Sequence, residues 1–265
     1  MSSDKSPGNR YACLIERVFL DKYKRGMQEV LFHREDLAKA AATMNVVLPK
    51  NVGDVIYSMR YRTALPDAIK RTQPAGKEWI IEGKGKSEYA FRLVVATRIA
   101  PNPSMAAIKI PDATPEIVGA YALSDEQALL AKVRYNRLID IFLGVTAYSL
   151  QNHLRTHIKE VGQVEIDEIY VAVDSRGRQY VIPVQAKGGN DRLSGVQTNQ
   201  DLVCCQKKFP QLICRSVSAQ FVSSNLIALF EVTTTNGEIQ ILEERHYSLV
   251  PADQISLEEL KIYNR

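Results

Sequence analysis

The stretch VIPVQAKGG, residues 181–189, sets an amide and an ammonium group at the end of an apolar run. Strand side chains alternate with a period of two, so Gln185 and Lys187 share one face while Ile182, Val184 and Ala186 share the other. Upstream, VEIDEIYVAV (164–173) alternates in the same way, with Glu165, Asp167, Ile169 and Val171 on one face. The turn residues DSRGR lie between the two runs, and the whole predicts an antiparallel hairpin. If the turn is centred near Arg176, the numbers of paired positions sum to roughly 352–354, which sets Asp167 opposite Gln185, Ala186 or Lys187, with opposed Cβ atoms about 5 Å apart. A carboxylate, an amide and an ammonium group thus converge. Such a grouping is either a site for polar chemistry or a cross-strand ion pair on a solvated face.

The elements that must hold these residues follow from the flanking sequence. Residues 124–160 carry Leu129, Leu130, Val133, Ile139, Phe142 and Leu143 at helical spacing and predict a long helix, with Gly144 as a break. GVQTNQDLVCCQKKF (195–209) predicts a helix that stops before Pro210. LICRSVSAQF, NLIALFEVTT and EIQILEERHYSLV read as further strands. The second half is therefore mixed α/β, with helices about one sheet.

The hairpin grouping resembles the motif of the PD-(D/E)xK nuclease superfamily, whose fold is called restriction-endonuclease-like. Asp167 in EID takes the place of the strand acid, and QAK, Gln185 to Lys187, the place of the (D/E)xK triplet. The order also matches: a long helix, the hairpin, then the helix beginning GVQTNQD. The resemblance covers residues 124–235. Two departures stand out. A glutamine replaces the triplet acid, which removes one negative charge, and Pro183 lies inside the second strand, where it cannot donate to a ladder.

The resemblance implies a magnesium-dependent phosphodiesterase. Asp167 would offer a carboxylate oxygen, Gln185 its amide oxygen and Ala186 its main-chain carbonyl to Mg²⁺, a hard ion that takes oxygen ligands and keeps several waters. Lys187 would orient the nucleophile and stabilise charge growing on the phosphoryl group. Glu165 would restore the missing charge or bind a second ion; Glu126 and Asp140 on the preceding helix are further candidates. Gln197 and Gln200 either touch DNA beside the site or face solvent. GGNDR (188–192) either approaches a phosphate through its glycines and Arg192 or is a plain loop.

The first third reads differently. YACLIERVFLDKYK (11–24), HREDLAKAAATM (33–44) and NVGDVIYSMRYR (51–62) predict three helices, and KEWIIEGKGKSEYAFRLVV (77–95) predicts a hairpin with a basic GKGK tip. That is the layout of a winged helix-turn-helix domain, in which the third helix enters the major groove and the hairpin tip touches phosphates. The reading helix would present Asn51, Asp54, Tyr57, Ser58, Arg60 and Tyr61, and the tip Lys84 and Lys86. The alternative for this part is a structural or protein-docking module. Residues 97–121 hold four prolines and read as a connection with one edge strand. The expected division is a disordered tail (1–10), a winged-helix domain (11–96), a linker (97–121) and a nuclease-like domain (122–265).

Charge agrees with a division of labour. Residues 1–100 hold 18 Lys and Arg against 11 Asp and Glu, whereas the remainder holds 16 against 19. A basic first part suits a polyanion and a slightly acidic second part suits a cation, although charge alone is equally compatible with a solvated basic surface. The four cysteines form no CxxC pair and read as buried reduced thiols in a cytoplasmic protein. No apolar run reaches membrane-spanning length. His153 and His157 stand four apart on the expected helix, a zinc-binding spacing, but Leu154 occupies the place of a metalloprotease glutamate.

The expected function is a Mg²⁺-dependent endonuclease of double-stranded DNA, a type II restriction enzyme acting as a homodimer. The competing expectation is a non-catalytic winged-helix regulator whose C-terminal sheet dimerises or senses a ligand.

Overall fold

The computed structural model describes residues 7–61, 63–96, 98–121, 125–158, 162–187, 193–235 and 238–263. The chain divides into two compact units, residues 1–96 with 157–163, and residues 97–156 with 164–265.

The first unit runs α1 (Pro7–Lys22), β1 (Glu29–His33), α2 (Arg34–Thr43), α3 (Gly53–Tyr61), the single-turn α4 (Asp67–Lys70), β2 (Lys77–Gly85) and β3 (Glu88–Val95). Its sheet has the order β1-β3-β2, antiparallel throughout. Helix α1 begins inside the stretch expected to be a tail, because proline is preorganised for the first helical position. Its inward stripe, Leu14, Ile15, Val18 and Phe19, is buried against α2, α3 and the sheet. Phe19 meets Trp79 and Phe91 edge-on at ring-centroid distances of 5.2 and 5.0 Å. Strand β1 was not anticipated. Its five residues alternate exposed and buried, with Val30 and Phe32 inward, but they lie between a loop and a helix start and are too few to show a period.

The second unit begins with β4 (Arg98–Ile99), β5 (Ala107–Pro111), α5 (Glu116–Tyr121), α6 (Asp125–Tyr135), α7 (Leu138–Leu143), β6 (Thr146–Ile158), β7 (Gly162–Val173) and β8 (Gln179–Lys187). It continues with β9 (Leu193–Ser194), α8 (Gly195–Lys208), β10 (Ile213–Cys214), β11 (Ser216–Ser223), β12 (Leu226–Thr235), β13 (Glu238–Val250) and α9 (Leu257–Tyr263). A mixed sheet has the order β5-β13-β12-β11-β8-β7-β6, with β10 beside β8. Strands β7 and β8 pair antiparallel, and α8 then carries the chain so that β11 lies parallel to β8. Strand β5 forms the edge, parallel to β13, within the segment expected to supply one edge strand. No helix among the described residues is long and apolar enough to cross a membrane.

The helix expected over 124–160 is shorter than its sequence suggested. The helical stripe holds through α6 and α7, and then Gly144, at φ +66°, caps α7 in the left-handed region and releases the chain into β6. Residues 146–158 contain few apolar side chains, so neither period is written in them; pairing beside β7 makes them a strand. His153 and His157 thus lie on a strand, roughly 13 Å apart along its length, too far to share one ion.

The core of this unit explains why VIPVQA is apolar on both faces. Tyr180, Ile182, Val184 and Ala186 pack with Leu129, Leu130 and Val133 of α6, while α8 contacts β8 as well. A strand covered on both sides reads as a continuous apolar run instead of an alternation. Pro183 is accommodated without a register shift against β7, at the step where the parallel neighbour of β8 changes from β10 to β11. The described cysteines are all free; Cys204 and Cys205 are buried, Cys214 is half-buried and Cys13, contrary to expectation, is exposed.

Candidate functional site

The β7–β8 turn sets the register of the site. Asp174 accepts from the backbone N–H of Arg176 and Arg178 at 2.9 and 3.0 Å, and Gly177 sits at φ +76°, which costs a glycine little. From that turn the ladder runs Val173↔Gln179 to Glu168↔Val184. The next step brings Asp167 to the QAK triplet, where its Oδ2 accepts the backbone N–H of Ala186 at 2.9 Å.

Two further contacts complete the arrangement. Lys187 Nζ donates to Glu126 Oε1 at 3.2 Å, joining the end of β8 to the start of α6. Gln185 Nε2 donates to Asp201 Oδ2 on α8 at 2.5 Å. Gln185 is 1% exposed and Asp201 is fully buried. Gln185 Oε1 and Asp201 Oδ1 are buried and have no hydrogen-bond partner among the described residues. Burial raises the pKa of Asp167; the Ala186 N–H and the Lys187 charge oppose that rise, and Glu126 adds to it. Burial also holds the Asp201 carboxyl well above the usual carboxylate range, against the Gln185 hydrogen bond.

Asp167, Gln185, Ala186 and Lys187 are thus linked through adjacent strands and two helices. Of the acids considered beside them, Glu126 joins the group through Lys187. Glu165 instead meets Arg155 on β6 at 2.9 Å. Asp140 pairs with Arg137 and accepts the Ala147 N–H, fixing the α7–β6 corner. Gln200 is buried, not solvent-facing, and Arg192 lies outside the described residues. Asp201 went unrecognised in the sequence; its signal is a place on the inward stripe of α8 with Thr198 and Cys205, all three fully buried.

The donor set suits a hard cation. It comprises a carboxylate, an amide oxygen and a main-chain carbonyl, with two buried oxygens that lack donors. Among the described residues no three His, Cys, Asp or Glu side chains group so as to hold an ion by themselves. An ion here would keep water or phosphate oxygens as its remaining ligands, as Mg²⁺ commonly does.

The predicted nucleic-acid residues of the first unit fall into two groups. Asn51, Tyr57 and Arg60 of the α3 region and Lys84 and Lys86 of the β2–β3 turn line one cavity of about 710 Å³, to which Arg34, Tyr89 and His157 also contribute. Asn51 also braces the start of α3, donating to Asp54 Oδ1 at 2.8 Å and accepting the Gly53 N–H at 3.1 Å. Lys84 is ion-paired with Glu29 at 2.6 Å, whereas Lys86 is exposed. Ser58 is turned to Thr63 at 3.1 Å, and the side chain of Tyr61 lies outside the described residues.

Comparison of the chain with family models, with curated proteins and with solved structures finds no match in any of the three.

Proposed function

We propose that the chain is a Mg²⁺-dependent DNA endonuclease of the PD-(D/E)xK kind, with a winged-helix unit that binds duplex DNA. The observation that carries this reading is the Asp167 carboxylate on the middle residue of the QAK triplet, beside Lys187. The order of elements supports it: α6, the neighbouring strands β6, β7 and β8, then α8 and the parallel β11. For the first unit the support is the helices α1, α2 and α3 and a three-stranded sheet, with a basic cavity between α3 and the β2–β3 turn.

In this mechanism Asp167, the Gln185 amide oxygen and the Ala186 carbonyl would hold the cation. At this site Mg²⁺ would supply Lewis-acid chemistry towards the phosphodiester and lower the pKa of water beside it. The Ala186 N–H fixes the Asp167 carboxylate so that its other oxygen is free to ligate. Lys187, as an ammonium, carries three donors; Glu126 takes one, and the others would be available to the charge that develops at phosphorus. Glu126 thereby sets the direction of the Lys187 side chain. The reading extends to a restriction enzyme of the type II kind, for which cutting both strands of a duplex favours a two-fold homodimer.

The competing reading is a non-catalytic DNA-binding regulator, favoured by the Lys187–Glu126 ion pair, which satisfies the lysine without any substrate. Plasmid DNA incubated with the protein and Mg²⁺ separates them. The nuclease reading expects Mg²⁺-dependent nicking or linearisation, stopped by EDTA and reduced at least about 100-fold in Lys187→Ala, the scale of losing one transition-state donor. Cutting that survives Lys187→Ala removes this site; DNA retardation without cutting supports the regulator.

A further inference from the structure

We infer that Asp201 is a positioning residue for Gln185, fixing which end of its amide faces the cation site; this rests on the endonuclease reading above. A side-chain amide has a donor end and an acceptor end of nearly the same shape, and only the acceptor end can ligate a cation. A glutamine in place of a triplet acid therefore brings a problem that a carboxylate does not have, since a carboxylate presents oxygen at both ends. Rotation of the amide by half a turn would aim an NH₂ group at the ion.

The contact between β8 and α8 resolves that problem. Asp201 Oδ2 accepts from Gln185 Nε2 at 2.5 Å, and neither residue is open to solvent. Asp201 Oδ2 accepts from the NH₂ end, so the pair holds the donor end of the amide against the helix. The carbonyl end is thereby turned away from α8. It has no hydrogen-bond partner among the described residues, although it is buried. A buried acceptor of this kind ordinarily takes a water, an ion or a ligand as its partner. The hydrogen bond also polarises the amide and increases the negative charge on its oxygen.

The test is uptake of Mn²⁺ by the full-length protein without DNA, read from the electron paramagnetic resonance signal of the free ion, with Mn²⁺ as probe of the Mg²⁺ site. Asp201→Ala is expected to weaken Mn²⁺ binding about 10- to 100-fold, the usual effect of removing a group that orients a ligand. Asp201→Asn, whose amide oxygen accepts the same N–H, is expected to retain most of the affinity. In a Gln185→Glu background, where the side chain has no wrong end, Asp201→Ala is expected to bring no loss. A merely structural role would lower affinity by the same factor in both backgrounds. Equal loss in both backgrounds, or wild-type affinity in Asp201→Ala, overturns the inference. Should Asp201→Ala fail to fold by circular dichroism, Asp201→Leu fills the volume without an acceptor and makes the same comparison. A wild-type protein that takes up no Mn²⁺ and leaves DNA uncut removes the cation-site reading itself. One that cuts while Asp201→Ala binds Mn²⁺ normally removes only the role of Asp201.

Discussion

Gln185 on β8 and Asp201 on α8 form a hydrogen bond of 2.5 Å between two side chains shut off from solvent, sixteen residues apart in the chain. The contact ties the triplet strand to the helix behind it.

Asp167→Asn should raise the thermal stability of the metal-free protein at neutral pH. Burial raises the Asp167 pKa above its ordinary value of 3.8, so the folded state holds this proton more tightly than the unfolded chain does. An acid shifted upward contributes stability that is complete below the unfolded value and is lost as pH rises through the folded one. A neutral asparagine avoids that loss and can still accept the Ala186 N–H. Melting curves at about pH 7.5 and about pH 3.5, on either side of the carboxylate range, should show the gain at the higher pH only. A melting temperature lowered at the higher pH would contradict the idea.

Arg134→Ala should destabilise the second unit by about 3 kcal/mol, because it strands a buried charge. Glu168 is fully buried; its Oε1 accepts from Arg134 Nε at 2.9 Å and from Ser149 Oγ at 2.6 Å. Urea unfolding measures the change. A difference within the range of an ordinary surface substitution, about 0.5 kcal/mol, would show that Glu168 does not depend on the arginine.

Lys86→Glu should weaken duplex binding and lower the slope of log affinity against log salt by about one. Lys84→Glu should act less, since Lys84 already faces Glu29 and Glu82 at 2.6 and 3.8 Å. Titrations of labelled duplex at several salt concentrations distinguish the two lysines. Equal effects would mean that the ion pair opens on binding, and no effect from either would remove the turn from the interface.

Phe19→Ala should destabilise the first unit by about 3–5 kcal/mol, the cost of a large buried aromatic truncated in a packed core. Phe19 is fully buried and touches both Trp79 and Phe91. Trp79 is the only tryptophan in the sequence, so its fluorescence reports this unit directly. An unchanged fluorescence transition would show that the aromatic cluster is not what holds the unit together.

Local pattern explains what could be read without coordinates. The β7–β8 hairpin was legible because alternation and a turn of Asp, Gly and Arg specify each other, and the ladder falls at a number sum of 352, within the expected range. The helices α1, α3 and α8 were legible from their apolar stripes, and β2–β3 from the glycines at its tip. Strand β6 was not, because residues 146–158 carry little apolar signal and take their conformation from the strand beside them.

The sequence by itself determined that Asp167, Gln185 and Lys187 would share one face of a hairpin, since a period of two and one turn are enough to place them. Tertiary structure alone decided that Asp201 would hold the Gln185 amide and that Glu126 would hold Lys187. Those partners come from helices α8 and α6, and no local period reports where a helix docks. Docking is set by burial of apolar surface over the whole sheet, a sum over residues distant in the chain.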